Sequence, residues 1–304
     1  MTDGWPELGT ARWLDTATTL HLWSQVVGKT RLALEPSMNH WWQVPLYVSA
    51  RGLATPVLYD GDQAFDIELD LVLHALRVRD GTGRELSFPL GEMTVAAFYR
   101  KTMETLASIG VVPDIWPRAV EIPTIIDLDR DVEHHSYDPV WARSFATALR
   151  RADAALKGFR GRFLGKASPV HFFWGGFDLA TTRFSGRTAP KHPGGIPNCA
   201  DRVMVEAYSH EVSSAGFWLG NAESPHAAFY AYAYPEPAGF AEATVRPSAA
   251  YYDKTFREFV LPYDAVRASP DPEREIDAFL TTTYEAAADL GHWDRRALER
   301  QGTA

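Results

Sequence analysis

The chain has 304 residues, a formal net charge of −9, and 46% hydrophobic and 23% charged residues. This length fits one large domain or two of ordinary size, and the composition is normal for a soluble globular protein. Acidic and basic residues are interspersed, which argues against a dedicated nucleic-acid-binding protein because such proteins present a basic face.

The first half is predicted to begin with a helix that ends at QVVGK, residues 25–29, because a glycine just past an apolar turn is a helix C-cap signal. An aromatic strand region, HWWQVPLYVSARG, starts at His40. Residues 65–78 alternate for part of their length between apolar and polar side chains, which predicts a half-buried strand. A strand at 84–90 and a helix at 97–110 complete this half.

The second half follows the same plan. A helix from near Asp138 is predicted to end at RFLGK, residues 162–166. Asp271 is a candidate N-cap for the terminal helix, with Pro272 at its first position. Between these helices lie four aromatic or alternating segments that predict strands: residues 165–187, 203–218, 227–237 and 257–263.

The two halves resemble each other in sequence. Residues 97–110 and 278–291 are identical at six of fourteen positions, and three weaker matches occur in the same order. An internal duplication is favoured over two similar layers that arose independently. We therefore predict an α+β fold of two tandem helix–antiparallel sheet–helix repeats packed as one body, with saddle and helix-grip architectures as analogies. The predicted boundaries are 1–115 for the first repeat, 116–137 for a linker and 138–304 for the second repeat.

The sequence also predicts the compartment. The single cysteine, Cys199, rules out an internal disulfide framework and fits a reducing environment. The N-terminal MTDGWPELGT lacks the basic and apolar regions of a signal peptide, and no run approaches the roughly 18 apolar residues that span a bilayer. We expect a cytoplasmic protein.

Several long motifs run through the chain: GKTRLAL, LYVSARGL, HFFWGGFDLATTRFSGR, YSHEVSSAGFW, FYAYAYPEP and FLTTTYEAAADLGHWDR. Together they resemble an uncharacterised bacterial family that is catalogued only as a domain of unknown function, the 5996 family. The resemblance covers nearly the whole chain. It implies one self-contained unit, and it implies no activity.

Common catalytic signatures are missing from the sequence. It contains no GxGxxG after a strand, no GxxxxGK[ST], no paired CxxC, no HExxH and no GxSxG. This argues against the common dinucleotide, nucleotide-triphosphate, zincin and α/β-hydrolase sites without excluding them. The sequence identifies no cofactor and no metal.

The segment GKASPVHFFWGGFDLATTRFSGR combines charged and aromatic residues in one strand-turn-strand. Arg183 and Arg187 follow Asp178, and Lys166 precedes them. Because arginine offers a planar fork for carboxylate or phosphate, these cations are candidate ligands of an anionic group. The alternative is a structural arginine paired with a buried carboxylate such as Asp178.

The same region supplies candidates for proton transfer or metal binding. His171, His210, Asp178 and Glu211 converge if the central strands pair, and histidine with carboxylate is a normal ligand set for zinc, iron or manganese. Their spacing matches no recognised ligand pattern, which favours the alternative of a core histidine satisfied by a neighbour.

An aromatic wall is the last candidate. Tyr230, Tyr232 and Tyr234 share one face of a predicted strand, and Tyr208 is expected beside His210 on a neighbouring strand. Trp174 is a further candidate for contact with a ligand. Apolar walls with a few polar anchors suit a small organic ligand. The alternative is a tyrosine-rich surface under a helix or in a dimer interface.

The leading hypothesis is therefore a small-molecule pocket in the second repeat, lined by aromatic residues, histidine and arginine. Its catalytic form is an enzyme that acts on a small anionic organic substrate. A metal-dependent enzyme using His171 and His210 with carboxylates is one alternative, and a non-catalytic interaction or dimerisation module is another. A small anionic ligand and a second copy of the chain are the expected partners; nucleic acid and membranes are not.

Overall fold

The computed structural model describes residues 4–8, 13–123 and 126–300. Within these residues it contains seven α-helices and two antiparallel sheets, which confirms the predicted α+β class. None of these helices combines the length and the apolar composition that a bilayer-spanning helix requires. The helices are α1 (Trp13–Leu34), α2 (Val95–Ala107), α3 (Pro139–Gly161), α4 (Asp201–Ala207), α5 (Tyr263–Ala268), α6 (Pro272–Leu290) and α7 (Arg295–Leu298).

The first sheet is formed by β1 (Tyr47–Val48), β2 (Gly52–Ala54), β3 (Leu58–Asp60), β4 (Gln63–Asp70), β5 (Ala75–Asp80) and β6 (Glu85–Pro89). Its order is β1-β2-β4-β5-β6, with β3 also paired to β4. The second sheet is formed by β7 (His171–Phe173), β8 (Asp178–Thr188), β9 (His210–Trp218), β10 (Ala228–Tyr234), β11 (Tyr251–Asp253) and β12 (Glu258–Pro262). Its order is β11-β12-β10-β9-β8-β7.

The two sheets meet at one edge. Leu46 and Phe172 exchange two backbone hydrogen bonds of 2.8 Å, and β1 contacts β7 there. Each half of the chain supplies a long helix, then strands, then a further helix. The internal duplication and its boundaries at residues 115 and 138 remain predictions.

A layer of helices covers one face of the second sheet. Helix α3 contacts β8, β9 and α6, and α6 contacts β9 and β10. The row of side chains Leu179, Phe217, Phe229 and Leu261 runs across β8, β9, β10 and β12 and is at most 1% exposed. Because side chains alternate along a strand, the neighbouring rows point to the opposite face of the sheet.

Two helices do not end at the glycines that the sequence predicted as their caps. Helix α1 continues through Gly28 to Leu34, and α3 ends at Gly161, before RFLGK, so both predicted ends are wrong. A Cβ at Gly28 would overlap the indole of Trp174. A glycine inside a helix here serves close packing, which sequence alone does not distinguish from a cap. The predicted N-cap at Asp271 is confirmed, since its side chain accepts a hydrogen bond from the Arg274 amide.

Two predicted strands are also wrong in extent. Residues 65–78 form a hairpin, because the Asp70 carboxylate accepts the amides of Val72 and Leu73 and so closes a turn after β4. In 203–218 the first part is helix α4, which has Asp201 in its first turn, where a carboxylate complements the helix dipole.

Candidate functional site

A cavity of about 200 Å³ lies on the face of the second sheet opposite α3 and α6. Its floor comes from β8, β9 and β10. Helix α4, the turn at residues 40–44 and the loop at Glu121 form its other walls. We call it the sheet cavity. The polar or aromatic side chains that line it are His40, Trp41, Trp42, Glu121, Phe173, Asp178, Thr182, Phe184, Tyr208, Ser214, Tyr230 and Tyr232.

Strand register explains how Asp178 and Tyr230 meet. Gly216 on β9 pairs with Ala180 on β8 and with Tyr230 on β10. A Cβ at Gly216 would overlap the Tyr230 hydroxyl group, so the missing side chain lets that ring cross β9. The Tyr230 hydroxyl donates a hydrogen bond to the Asp178 carboxylate on the far side. The glycine inside β9 thus allows a side chain of β10 to reach a side chain of β8, although the two strands are not adjacent.

The cavity tyrosines contact one another through a hydrogen bond and through their rings. The Tyr208 and Tyr232 hydroxyl oxygens are 2.6 Å apart, and the rings of Tyr230 and Tyr232 are nearly parallel at 6.2 Å. Burial raises the pKa of Tyr232 to about 12 and raises the pKa values of Tyr208 and Tyr230 well above their usual range. All three therefore keep their protons at neutral pH, and in the pair of Tyr208 and Tyr232 one hydroxyl donates to the other.

Three carboxyl groups near the cavity share an unusual electrostatic environment. Burial raises the pKa of Asp178 to about 6, although the Tyr230 hydrogen bond opposes that rise. Burial and the charge of Asp178 raise the pKa of Glu121 to about 7. Burial, followed by the charges of Asp178 and Asp253, raises the pKa of Glu258 to about 8. These groups change protonation state near neutral pH, where a general acid or base is most effective.

Two irregular segments hold Glu121 over the cavity. Its amide donates to the Pro197 carbonyl oxygen at 2.8 Å, and the Asn198 side chain donates to the Ile122 carbonyl oxygen at 3.1 Å. Although Glu121 is exposed as a whole residue, its carboxyl end lies so close to Gly175 that a Cβ there would overlap it. The glycine pair between β7 and β8 is therefore the surface on which this carboxyl group rests.

A histidine and a lysine mark the other end of the cavity. Lys166 Nζ donates to His40 Nε2 at 2.7 Å, and His40 Nδ1 donates to the Ala207 carbonyl oxygen at 3.0 Å, which fixes the neutral tautomer of the ring. Burial, reinforced by the charge of Lys166, lowers the pKa of His40. The predicted residue His210 contacts His40 edge to face at 5.6 Å. Lys166 lies against the rings of Trp42 and Phe184.

The structure thus gathers some of the predicted site residues. Asp178, Tyr208, Tyr230 and Tyr232 line one cavity, while Lys166 and His210 contact its wall at His40. Because α4 and the turn at residues 40–44 cover these tyrosines, they form an internal wall instead of an open face. Tyr234 lies outside, where its hydroxyl donates to the Pro190 carbonyl oxygen at 3.1 Å.

The two predicted anion-binding arginines lie elsewhere. The Arg183 guanidinium points into the helix layer, donates to the Phe159 carbonyl oxygen and packs on the ring of Tyr284 at 4.3 Å. Arg187 forms an ion pair of 2.6 Å with Glu211 near the surface. Neither arginine lines the sheet cavity, and neither does Glu211.

His171 is fully buried behind the cavity wall: it does not line the cavity, but it contacts the lining residues Trp42 and Phe173 edge to face at 6.0 and 5.6 Å. Its Nε2 lies 3.4 Å from the Tyr47 hydroxyl oxygen. Burial, then the charges of Arg31 and Arg160, lower the pKa of His171 to about 3, so the ring stays neutral. Across residues 4–8, 13–123 and 126–300, no three His, Cys, Asp or Glu side chains lie close enough together to hold a metal ion.

A second cavity, of about 320 Å³, adjoins the first and contains Trp174 and Lys29. We call it the lysine cavity. It shares five residues with the sheet cavity: Trp41, Val44, Glu121, Phe173 and Val203. A more open groove of about 690 Å³ lies between the N-terminal segment and α3, but His74 and Arg143 in it are already hydrogen-bonded, to the Tyr137 hydroxyl and the Val72 carbonyl oxygen.

Sequence reasoning missed Glu121, Glu258, His40, Lys29 and Gly216. A glycine inside a strand signals close approach, so Gly216 could have been found from the sequence. The HWW motif at His40 was recognised as aromatic, but not as a turn with positive φ at His40 and Trp41.

The carboxyl groups provide a stability prediction. A carboxyl whose pKa is raised in the folded protein stabilises it below the unfolded pKa, and that contribution is lost as the pH rises through the folded value. For Glu258 this window runs from the ordinary 4.5 to about 8. Wild-type protein should therefore lose unfolding free energy between about pH 5 and about pH 8, and we expect this loss to be about 3.5 kcal/mol smaller in Glu258→Gln. Urea unfolding at both pH values measures this loss.

The matched control for that experiment is Glu211→Gln on the same sheet, because Glu211 is paired with Arg187. An equal effect of both substitutions would show that the pH dependence does not come from the environment of Glu258.

Taken together, the fold and the site define an α+β protein with an aromatic cavity that carries titratable carboxyl groups. The chain belongs to the Family of unknown function (DUF5996), which it matches over residues 5–300, and this confirms the resemblance seen in the sequence. No curated protein and no solved structure matches it.

Proposed function

We propose that the sheet cavity binds a small, single-ring organic molecule that carries a neutral or basic polar group, and that the Asp178 carboxylate pairs with this group. The observation that carries the proposal is the hydrogen bond between Tyr230 and Asp178 inside an aromatic cavity. A cavity of roughly 150 Å³ accommodates benzene, so about 200 Å³ suits one substituted ring.

The charges around the cavity favour a basic or neutral ligand over an anionic one. Asp178 and Glu121 line it, and the basic side chain in its lining, His40, is held neutral by burial and by Lys166. The two arginines that the sequence offered for an anion lie in the helix layer and at the surface. A protonated amine would relieve the repulsion between the carboxyl groups.

The role of Asp178 follows from the protonation states. With its pKa near 6, Asp178 is mostly ionised at neutral pH, so it accepts a hydrogen bond from a bound O–H or N–H group and forms an ion pair with a bound ammonium group. Tyr230 keeps its own proton and continues to donate to the carboxyl group, so it positions Asp178.

Benzylamine and its neutral analogue benzyl alcohol test this proposal by calorimetry and ligand-observed NMR. We expect benzylamine to bind, and Asp178→Asn to weaken its binding by about tenfold because the ion pair is lost. Affinity should increase as the pH rises through about 6, where Asp178 ionises. Glu211→Gln, which removes a carboxyl group outside the cavity, should leave the affinity unchanged.

Two results would contradict the proposal. One is the absence of saturable binding by either compound. The other is an equal effect of Asp178→Asn and Glu211→Gln, since this would mean that benzylamine responds to the charge of the whole chain.

A further inference from the structure

Lys29 is a buried cation without a partner in the described part of the chain. Its residue is 4% exposed, in the C-terminal half of α1. Within residues 4–8, 13–123 and 126–300, no hydrogen-bond acceptor and no carboxylate within 4.0 Å is found for its ammonium group. Its contacts there are the faces of Trp116 and Trp174, at 5.3 and 5.7 Å from the ring centres.

An isolated buried ammonium is unfavourable unless something compensates its charge. The cation–π contacts compensate in part. Burial lowers the pKa of Lys29 to about 8, opposed by the nearby Cys199 thiol, so the group is still mostly protonated at neutral pH. Asp114 lines the same cavity but forms no ion pair with Lys29. Lys29 therefore has no counter-ion within ion-pair distance among the described residues, although Asp114 and Glu121 also line the cavity.

Apolar and aromatic side chains form much of the lining of the lysine cavity. Trp174 is fixed in place, because its Nε1 donates to the Val44 carbonyl oxygen at 2.7 Å and its ring packs on Gly28. Ile115, Leu32 and Phe173 add apolar surface. The polar side chains of Asn198 and Arg202 also line it. The buried indole N–H of Trp41, which lines both cavities, also lacks an acceptor among the described residues.

We propose that the lysine cavity is a binding site for an aromatic carboxylate, whose carboxylate group pairs with Lys29 and whose ring lies among Trp116, Trp174 and Phe173. The sheet cavity carries the carboxyl groups of Asp178 and Glu121, whereas the lysine cavity, which shares Glu121 and contains Asp114, also carries the cations Lys29 and Arg202. This inference goes beyond the proposed function and does not depend on it.

The probes are 2-naphthoate and its neutral isostere 2-naphthamide, measured by calorimetry on the full chain. We expect 2-naphthoate to bind at least about tenfold more tightly than the amide, and Lys29→Met to remove that difference. Affinity for the carboxylate should fall as the pH rises above about 8, where the amine loses its proton. Lys101→Met is the matched control, because Lys101 also lies over an aromatic ring, Phe88 at 5.7 Å, outside this cavity.

Three outcomes would overturn the inference: equal affinities for the acid and the amide, unchanged naphthoate binding in Lys29→Met, or no saturable naphthoate binding by the wild-type chain. Loss of folding is tested separately by thermal unfolding of Lys29→Met without ligand. Benzylamine binding by the same variant keeps this test distinct from that of the sheet cavity, since Lys29 does not line the sheet cavity.

Discussion

Lys29→Met is expected to raise the free energy of unfolding by about 3 kcal/mol at about pH 7. The folded pKa of about 8 lies below the ordinary 10.5, so the unfolded chain binds this proton more tightly than the folded protein does. Stability is therefore reduced below pH 8, and the penalty disappears as the pH rises towards 10.5. Methionine keeps the apolar stem and removes the buried charge. Urea unfolding at the two pH extremes measures the gain and its decline.

Lys101→Met is again the comparison, because Lys101 is less buried than Lys29 and should change stability little. A less stable Lys29→Met variant would contradict the account, since it would mean that the ammonium has a strong internal partner. A variant that is more stable but no longer binds naphthoate would instead show that Lys29 serves ligand binding and lowers the stability of the protein.

Gly28→Ala is expected to lower the free energy of unfolding by about 2 kcal/mol, because the new Cβ would overlap the buried indole of Trp174. That ring cannot move freely while Nε1 is bonded to the Val44 carbonyl oxygen. Gly158→Ala is the matched control in α3, where a Cβ would meet nothing within 4 Å. Helix propensity alone should make that variant more stable by about 0.5–1 kcal/mol.

Urea unfolding of the two alanine variants compares them directly. Stabilisation by Gly28→Ala of the same size as by Gly158→Ala would show that α1 does not approach Trp174 closely. Displacement of Trp174 should also weaken naphthoate binding, because this ring forms one wall of the lysine cavity.

Strand alternation predicted which side chains share a face of β8. It put Arg183 on the same face as Leu179 and Thr181, and the structure has these side chains directed to the helices. The sequence could not show which part of the protein packs against that face. An arginine among apolar neighbours is compatible both with an anion site and with packing on aromatic rings such as Phe159.

The other residues of the site depend on contacts between distant parts of the chain. Glu121 lies in the predicted linker, and it reaches the cavity because Pro197 and Asn198 bind that segment through backbone and side-chain hydrogen bonds. The sequence pattern placed Lys29 at a helix end, whereas the structure has it inside α1, next to Gly28, which packs on Trp174 beside the cavity. No periodicity in a single sequence encodes such pairings.

The titration of the Asp178 carboxyl group tests the central claim most directly. Carbon-13 NMR of aspartate-labelled protein follows it, with Asp178→Asn used for assignment. We predict a pKa near 6 in the free protein and a marked decrease when benzylamine saturates the cavity, because a cation beside the carboxylate favours its charged form. A carboxyl group that titrates near 3.8, with no response to benzylamine, would contradict the account.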